Sequence, residues 1–167
     1  MTFKEIKYLL KNNVVGIAGC GGLGSNCAVA LARVGIGRLI IVDFDLVSED
    51  NLNRQYYFHD QVGEKKVFAL RDNIYRINQD IVVETYDVML DAENSSTIFK
   101  PCDVLVEAFD HAAQKEMLIE TALDHFPEKP LVVGLGMAGW GRSDLIHYRR
   151  SDNLYICGDE VSEISDD

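Results

Sequence analysis

The sequence predicts an α/β protein with a Rossmann-like, mostly parallel sheet and helices on both faces. Short apolar runs alternate with helical patterns along the chain, which is typical of parallel strands joined by helices. The apolar runs are continuous rather than alternating in polarity, as expected for strands buried on both faces. A glycine-rich stretch follows the first apolar run, and such a stretch is typical of nucleotide-binding folds of this class.

The predicted elements follow from apolar spacing and from the turn residues between them. Buried strands are predicted at residues 13–18, 38–43, 81–86, 103–106 and 130–135. Helices are predicted at residues 22–34, 65–77, 92–99 and 112–125. Two shorter and more polar strands, at residues 143–150 and 154–157, are predicted to form a short antiparallel extension. A strand order of 3-2-1-4-5 would bring the ends of strands one, two and four to one edge of the sheet.

Composition limits the class of protein. A length of 167 residues suits one domain with a substantial core. The net charge of −11 argues against nucleic acid and anionic membranes as partners, because both need a basic surface. The four cysteines are widely spaced, which predicts neither a zinc site nor a disulfide framework and favours a cytoplasmic location. No apolar run reaches about 18 residues, so no membrane span is predicted.

The glycine-rich stretch GCGGLGSN, residues 19–26, predicts a phosphate site. Gly19 permits a tight turn, Gly21 lets a phosphate approach the backbone, and Gly24 lets the helix pack closely on the strand. Gly22 is an additional glycine at the helix start, where free N–H groups and the helix dipole favour an anion. The pattern does not distinguish NAD from ATP, and a glycine turn that serves only helix packing is the alternative.

Charged and amide side chains follow the second predicted strand. Asp43 ends that strand and is the candidate for binding ribose hydroxyls. The connection over residues 44–62 is long, and long loops in compact domains are usually functional or disordered. Arg54 and Lys66 are the candidates for neutralising phosphate charge in a nucleotidyl transfer. The alternative interpretation is that both cations are solvated surface charges.

Acidic residues end the fourth predicted strand, in the sequence VEAFD at residues 106–110. Glu107 and Asp110 would lie at the same sheet edge as the glycine-rich stretch. Mg²⁺ binds through one or two carboxylates together with phosphates and water, and Asp110 is the better candidate ligand. Capping of the helix that begins at Ala112 is an equally good interpretation of Asp110 from spacing alone.

Five segments of the chain occur in the order typical of one superfamily. They are GCGGLGSN (19–26), DFDLVSEDNLNRQ (43–55), VGEKKV (62–67), RIN (76–78) and EAFDHAAQK (107–115). Together they resemble the ubiquitin-activating-enzyme-like superfamily, and especially the ThiF-type sulfur-carrier-protein adenylyltransferases (ThiF, MoeB and HesA) in their short thiamine-biosynthesis form. The combination of NLNRQ with the glycine-rich stretch makes this resemblance specific.

The resemblance implies an activity, cofactors and partners. Such enzymes use ATP and Mg²⁺ to adenylate the C-terminal glycine carboxylate of a ThiS-like ubiquitin-fold sulfur carrier protein, and pyrophosphate leaves. It also implies a homodimer. By match to the family motifs, the catalytic residues are Arg54, Lys66 and Asp110, with Asp110 holding the metal. The nucleotide-binding residues by the same match are Gly19, Gly21, Gly22, Gly24, Asp43, Asp45, Asn51, Arg54, Gln55 and Lys66.

Other expectations remain open. The target could be a molybdopterin-type carrier or a peptide C-terminus, and the chain could be a nucleotide-binding module without turnover. Cys157 is a candidate reactive thiol, although an incidental thiol is the more common case. Short relatives continue beyond the point where this sequence ends. We therefore expect a single ATP-binding domain over residues 1–167 that lacks the family's C-terminal strand and helix.

Overall fold

The computed structural model of the chain describes residues 1–136 and 143–162, in which one sheet carries helices on both sides. The strands are Val14–Ala18 (β1), Arg38–Val42 (β2), Val82–Tyr86 (β3), Val104–Glu107 (β4), Leu131–Gly134 (β5), His147–Ser151 (β6) and Leu154–Gly158 (β7). The helices are Phe3–Leu10 (α1), Gly22–Val34 (α2), Lys66–Tyr75 (α3), Ala92–Ile98 (α4) and Ala112–His125 (α5).

The sheet order is β3-β2-β1-β4-β5-β7-β6, which contains the predicted order 3-2-1-4-5. Every neighbouring pair is parallel except β6 and β7, which pair antiparallel at the end of the sheet. In the centre, Ile17 of β1 lies between Ile41 of β2 and Val106 of β4. The predicted α/β class with its short antiparallel extension is confirmed.

Two apolar layers hold the helices against the sheet. On one face, α2 and α3 pack over β1 and β2 through side chains such as Ala28, Leu70 and Ile41. On the other face, α4 and α5 enclose a second cluster that includes Phe99 and Leu118. Because both faces are covered, the ligand-accessible part of the central sheet is its carboxyl edge, where β1, β2 and β4 end.

Most predicted elements differ from the structure by one or two residues, but three differences matter. No helix is predicted from the sequence at residues 3–10, where the structure has α1, which begins with a capping box between Thr2 and Glu5. The predicted strand 143–150 is wrong at its start, because Ser143–Leu145 forms a 3-10 turn and β6 begins only at His147. The fourth strand extends to Glu107, so this carboxylate belongs to the sheet and not to the loop.

The long connection after β2 is ordered by two 3-10 turns, Glu49–Asn51 and His59–Gln61. The side chains of Gln61 and Asn73 exchange two hydrogen bonds, of 3.0 and 2.9 Å, and thereby fix the second turn to α3. Among the described helices, none combines the length and apolar character needed to cross a membrane.

Candidate functional site

The glycine-rich stretch forms the turn between β1 and α2, and we call residues 19–24 the glycine loop. Gly19 has φ of +94°, a left-handed conformation that side chains rarely adopt. A Cβ atom on Gly19 would also lie 2.7 Å from the carbonyl oxygen of Ala108, at the end of β4. A Cβ atom on Gly24 would overlap the carbonyl oxygen of Gly19. Both positions therefore need glycine for the fold itself.

Gly21 and Gly22 have a different environment. A Cβ atom on Gly21 would lie 3.8 Å from Nε2 of Gln55, and one on Gly22 would lie 3.7 Å from Cγ of Arg54. Both are ordinary contact distances, so the protein itself does not exclude a side chain at either position. The helix α2 has Gly21 as its N-cap and has no side-chain cap. The first N–H groups of α2 have no intrahelical partner, and no side chain of Gly21 or Gly22 covers them, so an anion could approach them.

Asp43 fixes the start of the glycine loop. Its Oδ2 accepts the N–H of Cys20 at 2.6 Å, and its Oδ1 accepts the N–H of Asp45 at 2.8 Å. Burial raises the pKa of Asp43, while these two N–H donors and the Lys66 ammonium oppose the rise. A carboxylate has about four acceptor positions, so ribose binding by Asp43 remains a prediction that these bonds do not prevent.

Ser25 and Asn26, in the first turn of α2, attach the long connection to the glycine loop. Ser25 is fully buried; its hydroxyl donates to the carbonyl of Gly21 at 2.6 Å and accepts the N–H of Tyr56 at 3.0 Å. The amide of Asn26 donates to the carbonyl of Arg54 at 2.9 Å. These side chains position residues 54–56 over the start of α2, a role that the glycine pattern did not reveal.

Tyr57 also joins the long connection to the glycine loop, through its buried side chain. Its ring is 5% exposed, and its hydroxyl donates to the carbonyl of Cys20 at 2.7 Å. Burial raises the pKa of Tyr57 far above its ordinary value, so the phenol stays a neutral donor. Burial also raises the pKa of the Cys20 thiol well above its ordinary value, which makes this cysteine unreactive.

Arg54 and Gln55 both lie next to the glycine loop, but Arg54 is exposed and Gln55 is buried. Arg54 is exposed, and its Nη1 donates to the carbonyl of Asp50 and to Oδ1 of Asn53, each at 2.9 Å. Gln55 is 9% exposed, and its Oε1 is buried without a hydrogen-bond partner in the described part of the chain. Hydrogen bonds to Nη1 thus hold the Arg54 guanidinium, and the Arg54 side chain lies next to Gly22 at the start of α2.

Asp45 and Lys66 form an ion pair beside the loop. Lys66 is 6% exposed, and its Nζ lies 2.8 Å from Oδ2 of Asp45. Lys66 is the first residue of α3, where the helix dipole disfavours a cation, so the Asp45 carboxylate offsets an unfavourable position. Asn51 is used within the connection, since its Oδ1 accepts the N–H of Ser48 at 3.2 Å.

Glu107 at the end of β4 is fully buried and paired. Its two oxygens lie 3.0 and 2.8 Å from Nζ of Lys115 on α5, and Oε1 accepts the N–H of Phe109 at 2.7 Å. Burial raises the pKa of Glu107, and the Lys115 ammonium opposes the rise. Lys115 also donates to the carbonyl of Gly134 at 2.8 Å, so the pair joins β4, β5 and α5.

Asp110 differs from Glu107 in every respect that matters for a ligand. Its side chain is 89% exposed, and Nε2 of His111 lies 3.9 Å from its Oδ1. The N-cap of α5 is His111, which makes no side-chain cap, so Asp110 is not the helix cap that spacing also allowed. Within the described ranges, no group of three or more acidic, histidine or cysteine side chains could hold a metal. A lone carboxylate fits Mg²⁺ only when phosphates share its coordination.

The structure gathers the predicted site residues at one edge of the sheet. The end of β4 contacts the glycine loop through Ala108, whose N–H donates to the carbonyl of Ala18 at 2.9 Å. Asp110 follows Ala108 by two residues, and residues 54–57 cover the loop from the side of β2.

Cys157 lies on β7 opposite Gly134 and is half-buried; its reactivity remains a prediction.

The fold defines the chain as a doubly wound α/β protein with a glycine loop at the start of its first crossover helix. The sequence profile of the ThiF family matches residues 4–165, nearly the whole chain. The chain therefore belongs to the ThiF family.

Two curated relatives are similar to this chain. An adenylyltransferase and sulfurtransferase MOCS3 of Caenorhabditis briggsae is 36% identical over 149 residues, which are 89% of this chain and 37% of that protein. The molybdopterin-synthase adenylyltransferase of Escherichia coli (strain K12) is 33% identical over 149 residues, which are 89% of this chain and 59% of that protein. The chain thus spans a little over one third of the first relative and under two thirds of the second.

A solved structure is also similar. The tRNA N6-threonylcarbamoyladenosine dehydratase TcdA of E. coli, in complex with ATP, matches with a TM-score of 0.86 and 22% sequence identity. The match covers 98% of this chain and 79% of that chain. At this identity the likeness shows a shared fold.

We predict different effects for Gly24→Ala, at a position that the fold requires to be glycine, and for Gly22→Ala, at a position where the protein leaves room for a side chain. Gly24→Ala should lower the free energy of unfolding in urea by more than about 2 kcal/mol, because its Cβ overlaps Gly19. Gly22→Ala should change it by less than about 1 kcal/mol, yet weaken ATP binding measured by calorimetry, because the methyl group narrows the space at the helix start. Equal destabilisation by both substitutions would contradict these roles.

We also predict that Lys115→Met destabilises the chain by about 3 kcal/mol, because it leaves Glu107 buried without a cation. Without Lys115 the pKa of Glu107 rises further, so the folded state binds this proton more tightly than the unfolded state does. Stability should then fall as pH rises, and the deficit measured in urea should be larger at pH 8 than at pH 5. The control Lys4→Met, at an exposed position of α1, should show neither effect.

Proposed function

We propose that this chain catalyses the ATP-dependent adenylylation of the C-terminal glycine carboxylate of a ubiquitin-fold sulfur carrier protein. The observation that carries the proposal is the uncapped start of α2, where Gly21 and Gly22 leave the backbone bare beneath Arg54. Membership of the ThiF family supports it, as do the names of the two relatives, which are adenylyltransferases.

In the proposed reaction, the carrier carboxylate attacks the α-phosphate of ATP and pyrophosphate leaves. The carboxylate is ionised at neutral pH, so no general base is required and the task of the protein is positioning and charge neutralisation. The N–H groups at the start of α2 bind phosphate oxygens, and Asp43 accepts the ribose hydroxyls. Arg54 and Lys66 approach the phosphates from the connection and from α3. Lys66 keeps Asp45 as its partner until a phosphate replaces it.

The residues present fit Mg²⁺ as the second cofactor. Asp110 presents an exposed carboxylate two residues beyond the contact between Ala108 and the glycine loop, and it is not used as a helix cap. When bound, Mg²⁺ offsets the charge of the phosphates and of the departing pyrophosphate. In this proposal Asp110 is the protein ligand of the ion.

The carrier is the finer part of the proposal. The motifs resemble the thiamine-biosynthesis form of the family, which favours a ThiS-like carrier that supplies thiazole synthesis. The name of the E. coli relative favours a molybdopterin-type carrier instead. Both carriers present a C-terminal glycine carboxylate, so the chemistry at the site is the same. We further propose a homodimer, the commonest symmetric assembly of soluble proteins.

Pyrophosphate exchange tests this function. We expect the chain with ATP, Mg²⁺ and a carrier to transfer label from pyrophosphate into ATP, with faster exchange for the correct carrier in a panel of ThiS-like and molybdopterin-type proteins. ATP binding without exchange for any carrier would favour a nucleotide-binding module without turnover. Failure to bind ATP would contradict the proposal altogether.

Asp110→Ala is predicted to lower the rate of pyrophosphate exchange by about a hundredfold or more. The variant removes the protein ligand of Mg²⁺, and the ion is then no longer held where it offsets the phosphate charge. Asp124→Ala is the matched control, since it removes another exposed carboxylate, at the far end of α5, and should leave exchange unchanged. Unfolding in urea should be similar for both variants. Full activity of Asp110→Ala would contradict the metal role.

A further inference from the structure

Cys20, between Gly19 and Gly21 of the glycine loop, makes a hydrogen bond through each of its two backbone groups. The N–H of Cys20 donates to Oδ2 of Asp43 at 2.6 Å, and its carbonyl accepts the hydroxyl of Tyr57 at 2.7 Å. Both bonds point into the protein, where Cys20 is fully buried and Tyr57 is 5% exposed. The side chain of Cys20 adds only a weak 3.9 Å contact to the carbonyl of Val42. The two backbone bonds therefore determine how the loop leaves β1.

The bond to Tyr57 has a geometric consequence for the next residue. The Cys20 carbonyl and the Gly21 N–H belong to one peptide plane and point in opposite directions, because the peptide is planar and trans. When the carbonyl is directed inward to Tyr57, the N–H of Gly21 is directed outward, away from the core. Gly21 is also the N-cap of α2, so this N–H joins the free N–H groups of the first helical turn.

We propose that Tyr57 is a positioning residue for phosphate binding: its hydroxyl orients the Cys20–Gly21 peptide so that the Gly21 N–H faces the nucleotide phosphates. This inference rests on the proposed function and adds a residue to it. Tyr57 does not touch the nucleotide; it acts through the backbone of the glycine loop.

The surroundings of Tyr57 favour this role over simple core packing. A phenylalanine would fill the same apolar space, whereas the hydroxyl provides the only described donor to the Cys20 carbonyl in the residues that the structure covers. Removing the hydroxyl would leave that carbonyl buried and unpaired, and the peptide would gain by rotating toward other donors. Such a rotation changes the direction of the Gly21 N–H.

The test compares ATP with adenosine, which shares the base and ribose but has no phosphates. For Tyr57→Phe, calorimetry should show ATP affinity reduced by about fivefold to tenfold, as expected when the Gly21 N–H no longer donates to a phosphate oxygen. Adenosine affinity should stay within about twofold, a tolerance well below the effect of one lost bond. In exchange assays, the KM for ATP should rise while the KM for the carrier stays unchanged. Tyr75→Phe, at a ring 37% exposed on α3, is the control and should change none of these values.

The outcomes are distinct. Equal losses for ATP and adenosine, or none for either, would overturn the positioning role of Tyr57. Absence of ATP binding by the unaltered chain would instead overturn the proposed function, since the tyrosine is intact in that experiment.

A second measurement needs no variant. In ¹⁵N-glycine-labelled protein, addition of AMP should move the Gly21 amide proton downfield, because the N–H gains a charged acceptor. Gly35, the C-cap at the opposite end of α2, serves as the internal reference and should not move. An unmoved Gly21 resonance with saturating AMP bound would contradict the proposed direction of this N–H.

Discussion

The candidate site depends on the hydrogen bonds that join the glycine loop and the first turn of α2 to residues 54–57. Asn26 binds the carbonyl of Arg54, Ser25 binds the N–H of Tyr56, and Tyr57 binds the carbonyl of Cys20. The two segments are about 30 residues apart in sequence, so an otherwise long connection becomes part of the wall of the site. Each of these bonds joins two groups of the protein itself, so we expect the loop to be assembled before a nucleotide binds, at little ordering cost.

Charges at the sheet edge are divided between structural pairs and exposed groups. Lys66 pairs with Asp45, and Glu107 pairs with Lys115, because an unpaired charge in either buried position would be costly. Arg54 and Asp110 are exposed instead, on opposite sides of the glycine loop. In the proposed function, these two exposed groups are the cation and the carboxylate that a triphosphate and its metal would use.

The sequence predicted the fold well where a local rule determines structure. The helix α2 was predicted at its observed bounds from the spacing of its apolar residues, and in the structure Gly35, with φ of +93°, ends it in a left-handed turn. Residues 143–151 were harder, because neither the 3-10 turn Ser143–Leu145 nor β6 has the continuous apolar run that identifies the central strands. For the site, the motifs indicated which residues converge at the sheet edge. They did not indicate that Lys66 is buried against Asp45, nor that Tyr57 rather than Tyr56 contacts the loop, since both depend on side-chain directions set by tertiary packing.

Hydrogen exchange of the nucleotide-free chain tests the central claim most directly. If the loop is preassembled, the amides of Cys20 and Tyr56, which donate to Asp43 and Ser25, should exchange as slowly as those of the central strand β1. Exchange of both amides at the rate of an exposed loop would contradict preassembly.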